Sequence, residues 1–283
     1  MEEIKKAANS TVERPAPPSV SPVVGDLRLH EFSSHIYRNT RMLRVWLPPD
    51  YEAPENAARH YPVFYLNDGQ NLFDPATAFA GVEWEVDETA DRLIREEKIP
   101  PLIIVGIDNA TVERIKEFFP YRSFSPPVLR PQGKHYPDFL MNEIMPFVWE
   151  RYRISRGAMN TGVGGSSYGG DIALYTALQY PGLFGHVLVE SPELWIGKNQ
   201  LLKDAENAKL LPRKIYLGIG TKEGGEPTRS TQMVNQVRDL ESILVKKDLG
   251  ASRLRVAIEE GGQGNEAAWS RRLPDALLFL YGQ

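Results

Sequence analysis

Residues 159–171, Met-Asn-Thr-Gly-Val-Gly-Gly-Ser-Ser-Tyr-Gly-Gly-Asp, decide the fold of this chain. The strand-like run Met159–Val163 leads into the turn Gly165-Ser166-Ser167-Tyr168-Gly169, and the helix-like segment Asp171–Tyr180 follows. A Gly-x-Ser-x-Gly sequence in this setting predicts a turn so tight that side chains at the two glycine positions would collide with neighbouring backbone. Ser167 is then expected at a helix N-terminus, where backbone N–H groups favour negative charge. The alternative is a Gly/Ser-rich loop without chemistry, and the strand-turn-helix setting favours the turn.

A turn of this kind is the nucleophile elbow of the α/β-hydrolase fold, and the rest of the sequence alternates accordingly. We predict strands and helices in this order: strands Leu27–Ser33, Met42–Leu47 and Tyr61–Leu66, helix Trp84–Lys98, strand Leu102–Ile107, helix Tyr136–Tyr152, the elbow, strands His186–Val189 and Lys214–Ile219, helix Thr231–Lys247, strand Leu254–Ile258 and helix Glu266–Tyr281. The alternation predicts an α/β protein with a mostly parallel central sheet flanked by helices. The first two strands are expected to be antiparallel at one edge.

The chain divides into two unequal parts. Residues 1–24 are rich in proline and predict a flexible N-terminal arm, whereas residues 25–283 show no composition break and predict one α/β-hydrolase domain. Within that domain, Pro120–Gly133 predicts a loop beside or over a site.

Composition excludes several classes of protein. A hydrophobic fraction of 42% suffices for a sizeable core, and a net charge of −4 argues against nucleic acid or an anionic membrane as a partner. We see neither a run of eighteen apolar residues nor a signal peptide. We therefore expect a soluble, cytoplasmic protein, although a trimmed export signal would leave no trace in the sequence.

Cysteine is absent, so disulfides and thiolate chemistry are excluded. Five histidines are present, at positions 30, 35, 60, 135 and 186, and none forms a metal-type pair. We expect no metal site and no organic cofactor.

A serine nucleophile needs an imidazole base oriented by a carboxylate, and in this fold the acid and the histidine follow the serine along the chain. Glu223 comes directly after a predicted strand and is our candidate acid, with Glu226 as a nearby competitor. The histidine should lie before the last helix, but the loop 259–269 contains none.

Three segments carry a family resemblance: Tyr65-Leu66-Asn67-Asp68-Gly69-Gln70-Asn71-Leu72-Phe73, Gly164–Gly170, and Glu190-Ser191-Pro192 through Trp195. The chain resembles, over about residues 28–282, the putative-esterase family of enterochelin esterases, esterase D and feruloyl esterases. The resemblance implies an α/β-hydrolase fold with Ser167 as nucleophile and Glu223 as acid. The family's last motif, Gly-Gly-x-His-Asn-Glu-x-x-Trp, is matched at Gly261, Gly262, Asn265, Glu266 and Trp269, and Gly264 stands where the histidine belongs.

Two other residues are candidates for the missing base. His135 could substitute for the imidazole, or it is a surface residue at a helix start. Asp171 lies one helical turn after Ser167, where the family usually carries an apolar residue. It is either a first-turn acid stabilised by the helix dipole or an altered general base with a raised pKa.

The oxyanion hole should combine the Tyr168 N–H with that of Gly69 or Gln70. Asn67 and Asp68 shape the same loop, unless Asn67-Asp68-Gly69 is only turn chemistry. The candidates for lining the substrate pocket are Trp84, Arg122 and Trp195. For Trp84 a place in the core is at least as well supported.

The sequence thus predicts an ester-hydrolase scaffold that acts on a small-molecule ester through an acyl-enzyme on Ser167, impaired because Gly264 cannot shuttle a proton. The alternatives are a pseudoenzyme that still binds ester-like ligands, and an altered site that uses Asp171 as base. The oligomeric state and the acyl specificity stay open.

Overall fold

The computed structural model describes residues 23–124 and 126–282. Its strands are β1 (Asp26–Ser33), β2 (Thr40–Leu47), β3 (Val63–Asn67), β4 (Ile103–Ile107), β5 (Ser123–Phe124), β6 (Pro127–Val128), β7 (Thr161–Ser166), β8 (His186–Glu190), β9 (Lys214–Gly220) and β10 (Leu254–Glu259). Its α-helices are α1 (Val86–Arg95), α2 (Arg114–Phe118), α3 (Tyr136–Phe139), α4 (Met145–Arg151), α5 (Tyr168–Gln179), α6 (Ile196–Asn207), α7 (Pro227–Lys246) and α8 (Glu266–Tyr281). A π-helical turn, Leu140–Ile144, joins α3 to α4.

Eight strands form one sheet in the order β1-β2-β4-β3-β7-β8-β9-β10. The ladders from β4 to β10 are parallel, whereas β1 pairs antiparallel with β2 and β2 antiparallel with β4. The predicted fold class is therefore confirmed, including the antiparallel strands at the N-terminal edge.

Each face of the sheet carries its own core. Side chains alternate along β3, so Val63 and Tyr65 join the core under α3 to α7, while Phe64 and Leu66 join the core under α1 and α8. The carboxyl ends of the parallel strands β7, β8 and β9 lie side by side. The loops that follow them are therefore brought to one edge, where ligand sites in such sheets are found.

Several element boundaries differ from the prediction. Helix α5 begins at Tyr168 rather than Asp171, because the elbow itself starts the helix. Helix α7 begins at Pro227 rather than Thr231, since proline is well tolerated in the first turn. Helix α6 was not predicted, and it opens with left-handed residues 197–199, which obscure its periodicity. The predicted Pro120–Gly133 loop contains the short hairpin β5–β6.

Most of the predicted N-terminal arm lies outside the described residues. Its last residue, Val24, donates its N–H to Asp87 Oδ2 over 2.6 Å and accepts from Trp46 Nε1 over 2.7 Å. In the described part of the chain, no helix combines the length and the apolar character needed to cross a membrane.

Candidate active site

The elbow holds Ser167 in a strained backbone conformation. Ser167 has φ 51° and ψ −130°, which L-residues adopt only where the surroundings enforce it. Its N–H donates to Glu190 O over 2.8 Å, and this bond ties the turn to the end of β8. A Cβ atom on Gly165 would lie 2.6 Å from the carbonyl carbon of Gly169, so the tight approach predicted for the two glycines is present.

The loop after β3 is bonded to the elbow through Asn67. Its Nδ2 donates to Gly169 O over 2.7 Å, and its Oδ1 accepts from the buried Tyr136 hydroxyl over 2.5 Å. Asp68 is left-handed, with φ 59°, and accepts from Arg114 Nε and Nη2 at 2.7 Å each. These bonds fix the position of Gly69 at the start of a short 3-10 turn.

Three backbone donors remain available around this junction. Gly69 opens the 3-10 turn and Tyr168 opens α5, so their N–H groups have no partner within their own helices. Among the described residues the N–H groups of Gly69, Gln70 and Tyr168 donate to no backbone or side-chain acceptor. They are the donors that the sequence proposes for an oxyanion hole.

Glu223 follows β9, and its side chain is only 1% exposed. Its Oε1 accepts from the Ser191 hydroxyl over 2.8 Å and from Gly220 N over 2.6 Å. Burial raises the pKa of Glu223 above its ordinary value, although these hydrogen bonds and the nearby Arg272 oppose the shift. The competitor Glu226 is exposed and precedes α7.

Gly264 lies against this carboxylate. A Cβ atom built on Gly264 would be 2.2 Å from Glu223 Oε2, so the free oxygen of Glu223 points into the space that a side chain at position 264 would take. The proximity of residues 223 and 264 is therefore a property of the fold.

Behind Glu223 lies a polar network that the sequence analysis did not identify. Ser191, which has φ 46°, donates to Glu223 and accepts from Trp269 Nε1 over 2.8 Å. Arg272 donates to Glu190 Oε2 over 2.9 Å and to Glu259 Oε2 over 2.6 Å, and its Nη2 is 3.9 Å from Glu223 Oε1. Burial raises the pKa of Glu190 to about 7 despite Arg272. Glu190-Ser191-Pro192 and Trp269 were identified in the sequence as parts of family motifs without an assigned role, and Arg272 was not singled out.

Asp171 is 7% exposed and faces the loop after β8. Its two carboxylate oxygens accept from Glu193 N at 3.1 and 3.2 Å. Burial, and then the charge of Glu193, raise the pKa of Asp171 well above its ordinary value. The cavity beside it holds about 10 Å³, and its walls include Phe118, Tyr121 and Leu194. That volume has room for about one water molecule.

An open cleft of about 700 Å³ lies next to the elbow and brings together Tyr168 and Trp195 with Arg229 and Met233. Trp195 donates to Glu193 Oε2 over 2.5 Å, and Arg229 lies 3.6 Å from the same oxygen. Tyr168 directly follows Ser167 in the chain, so the cleft borders the elbow, and its volume is sufficient for a small-molecule ligand.

The other predicted pocket residues lie elsewhere. Arg122 lines a separate cleft with Tyr121 and Lys134. Trp84 is 2% exposed and packs in the core against Trp269, with ring centroids 5.4 Å apart. His135 is exposed at the start of α3.

Comparison with known proteins supports the same fold and family. Residues 34–280 match the family model described as putative esterase. The uncharacterized protein YbbA of Bacillus subtilis (strain 168) is 23% identical over 248 residues, which are 86% of this chain and 93% of that protein.

The BES protein from Bacillus cereus superposes with a TM-score of 0.70 at 19% identity, covering 97% of this chain and 100% of that one. The siderophore hydrolase EstA from Aspergillus nidulans gives a TM-score of 0.67 at 19% identity and covers 98% of each chain. Because these two structures are so distant in sequence, their likeness shows the fold alone. The family match spans most of the chain, and on that ground the chain belongs to the putative-esterase family of α/β-hydrolases.

Proposed function

We propose that the chain is a serine carboxylic-ester hydrolase scaffold with Ser167 as nucleophile, Glu223 as acid, and the position of the general base vacated at Gly264. The observation that carries this proposal is the 2.2 Å approach of a Cβ atom on Gly264 to Glu223 Oε2. A Cβ atom at that distance would overlap the oxygen, so the flexible end of the Glu223 side chain must shift to admit a histidine. After that shift the histidine would lie against the carboxylate that orients it, as the serine-histidine-acid arrangement requires.

The chemistry would be acyl transfer in two steps. Ser167 Oγ attacks the ester carbonyl, and the negative charge that develops on the carbonyl oxygen is stabilised by the N–H groups of Tyr168 and of Gly69 or Gln70. The alcohol then leaves, and water releases the acid from the serine. Without an imidazole, the Ser167 proton must pass to solvent and the leaving alkoxide must take its proton from solvent. We therefore infer weak hydrolysis, or binding of ester-like ligands without turnover.

The substrate class follows from the cleft and the relatives. A cleft of about 700 Å³ next to Tyr168 fits a small-molecule ester, and the Trp195 ring with Arg229 above it at 5.9 Å offers both an apolar and a cationic contact. One structural neighbour is named as a siderophore hydrolase, which also points to a small-molecule substrate.

The test is p-nitrophenyl acetate hydrolysis by the unmodified chain and by Gly264→His. We expect weak hydrolysis by the unmodified chain and a rise of roughly 10² to 10⁴ in kcat/KM with the histidine, which is the range that a positioned acid–base group supplies. Added free imidazole should stimulate hydrolysis by the unmodified chain. Ser167→Ala should abolish both this stimulation and the rise in kcat/KM that Gly264→His produces.

Two results would count against the proposal. Fast hydrolysis by the unmodified chain that disappears in His135→Ala would assign the base to His135 instead. Hydrolysis that survives Ser167→Ala in the Gly264→His background would remove Ser167 from the mechanism.

Asp171 is the second candidate base, and one observation favours it: it is a buried carboxylate with a raised pKa beside an apolar cavity. With room for about one water, however, that cavity leaves no space for a substrate against the carboxylate. A base-catalysed elimination that is lost in Asp171→Asn would be required to support this function.

A further inference from the structure

Away from the elbow, three carboxylates meet around the start of α1. We propose that this acidic cluster, Glu83, Asp87 and Glu88, binds a divalent cation that prefers oxygen ligands, with Ca²⁺ as the occupant. Each residue offers one oxygen, and these oxygens all lie within 4.8 Å of one another. Ligands held at about 2.3–2.6 Å on opposite sides of a Ca²⁺ ion are separated by distances of this size.

The second observation is that these oxygens are buried and lack donors. Glu83 is 8% exposed and Asp87 is fully buried. Among the described residues, Glu83 Oε2, Asp87 Oδ1 and Glu88 Oε2 are buried atoms that accept no hydrogen bond. A buried carboxylate oxygen without a donor is costly, so it calls for a proton or a cation.

Local charges do not balance the cluster. No lysine or arginine in the described ranges 23–124 and 126–282 forms an ion pair with any of the three residues. The N-terminus of α1 and the Val24 N–H bound to Asp87 Oδ2 supply only partial positive charge.

The ligand types favour Ca²⁺ over softer metals. The cluster is made of carboxylates only, without the histidine or cysteine that zinc and copper prefer. Ca²⁺ accepts irregular sets of carboxylate oxygens such as this one, whereas Mg²⁺ demands a nearly ideal octahedron.

Metal binding at the acidic cluster can be measured directly, because a tryptophan is next to it in the chain. Trp84 follows Glu83 in the chain and is buried against Trp269. Since Tb³⁺ replaces Ca²⁺ at oxygen sites and is excited by a nearby indole, the site can be observed without any enzyme assay. Failure of this test would leave the ester-hydrolase proposal unaffected.

The experiment titrates Tb³⁺ into protein stripped with a chelator and excites tryptophan. We expect saturable Tb³⁺ luminescence that Ca²⁺ displaces and equimolar Mg²⁺ does not, together with a Ca²⁺-dependent rise in Tm. Glu83→Gln and Asp87→Asn should each weaken binding by more than the roughly 10- to 100-fold lost when a residue that only supports a metal ligand is removed. If either variant does not fold, Glu88→Gln replaces it.

The matched control is Asp91→Asn. Asp91 lies on the same helix and is paired with Arg95 at 2.8 Å, so its loss should leave Tb³⁺ binding unchanged. Absence of saturable luminescence, or luminescence that persists undiminished in both Glu83→Gln and Asp87→Asn, would overturn the proposal. Displacement by Mg²⁺ as effective as by Ca²⁺ would overturn the assignment of the ion.

Discussion

Arg272 donates its Nε–H to Glu190 over 2.9 Å, and both side chains are almost completely buried. The same guanidinium also bonds Glu259, and it lies 3.9 Å from Glu223. One cation therefore compensates carboxylates from three different loops and strands at the carboxyl edge of the sheet. Breaking a buried pair of this kind leaves charge without compensation, which is far more costly than losing an exposed one.

We predict that Arg272→Met lowers the free energy of unfolding by about 3–5 kcal/mol, because Glu190 would remain buried without a cation. Urea denaturation measures the effect. Arg271→Met is the matched control, since Arg271 is exposed and forms its ion pair with Glu259 at the surface. It should change the free energy of unfolding by about 0.5 kcal/mol or less. An equal loss of unfolding free energy in the two variants would show that the buried Arg272–Glu190 pair contributes no more to stability than the exposed Arg271–Glu259 pair.

The contrast between the elbow and this network shows what the sequence could predict. Ser167 and its glycines are neighbours in the chain, so one short motif is enough to predict their turn. The contact between Arg272 and Glu190 joins residues 82 positions apart, and it arises because α8 packs over β8 and β9. Periodicity within one element cannot predict such a contact.

The acidic cluster was missed for a related reason. Asp87 and Glu88 fall inside a predicted helix, where first-turn acids ordinarily face solvent and interact with the helix dipole. Their burial depends on how α1 packs against α8 and on the position of Val24. The opposite holds for Gly264, whose position opposite Glu223 could be predicted because a family motif marks it.

His186 should make stability depend on pH in the acid range. Burial, with smaller contributions from Lys214 and Arg213, lowers the pKa of His186 to about 4. The unfolded chain binds a proton at this residue below about pH 6.5, whereas the folded protein does so only near pH 4. The contribution of the neutral His186 side chain to the free energy of unfolding is therefore complete above pH 6.5. As the pH falls to 4, this contribution is lost, by up to about 3 kcal/mol.

Urea denaturation at several pH values in this range gives the free energy of unfolding as a function of pH. The slope of that free energy against pH should be shallower for His186→Leu than for the unmodified chain. His135→Gln, which replaces an exposed histidine, should retain the original slope. A histidine pKa near 6.5 for residue 186, measured by NMR in the folded protein, would contradict the prediction.

Gly69 should not tolerate a side chain. A Cβ atom there would lie 2.6 Å from the Gly106 carbonyl carbon and 2.8 Å from Asp108 Oδ1, and the first of these is backbone that cannot rotate away. We expect Gly69→Ala to lower the free energy of unfolding by about 1–3 kcal/mol through overpacking. In the Gly264→His background it should also lower kcat, because the N–H groups of the 3-10 turn would move.

The control for this substitution is Gly250→Ala, where an added Cβ meets open space. Thermal unfolding of the two variants measures the difference directly. A Tm for Gly69→Ala equal to that for Gly250→Ala would show that the loop after β3 can move without cost.

Substitutions of Asp171 test whether its carboxylate has a structural or a catalytic role. Its carboxylate accepts from Glu193 N, and its pKa is raised by burial, so the folded protein holds the proton to a higher pH than the unfolded chain does. The contribution of Asp171 to stability is then present at acid pH and is lost as the pH rises above about 4, the ordinary aspartate value. Asp171→Asn keeps an oxygen for Glu193 N but carries no charge to bury.

We therefore expect Asp171→Asn to unfold at higher urea concentration than the unmodified chain, with a gain that is larger near neutral pH than in acid. Asp171→Leu should lose stability instead, because Glu193 N would lack its acceptor. In the Gly264→His background, Asp171→Asn should leave kcat/KM for p-nitrophenyl acetate unchanged, since the carboxylate bonds the loop after β8 and not the substrate. A large fall in kcat/KM without a fall in stability would instead place Asp171 in the chemistry.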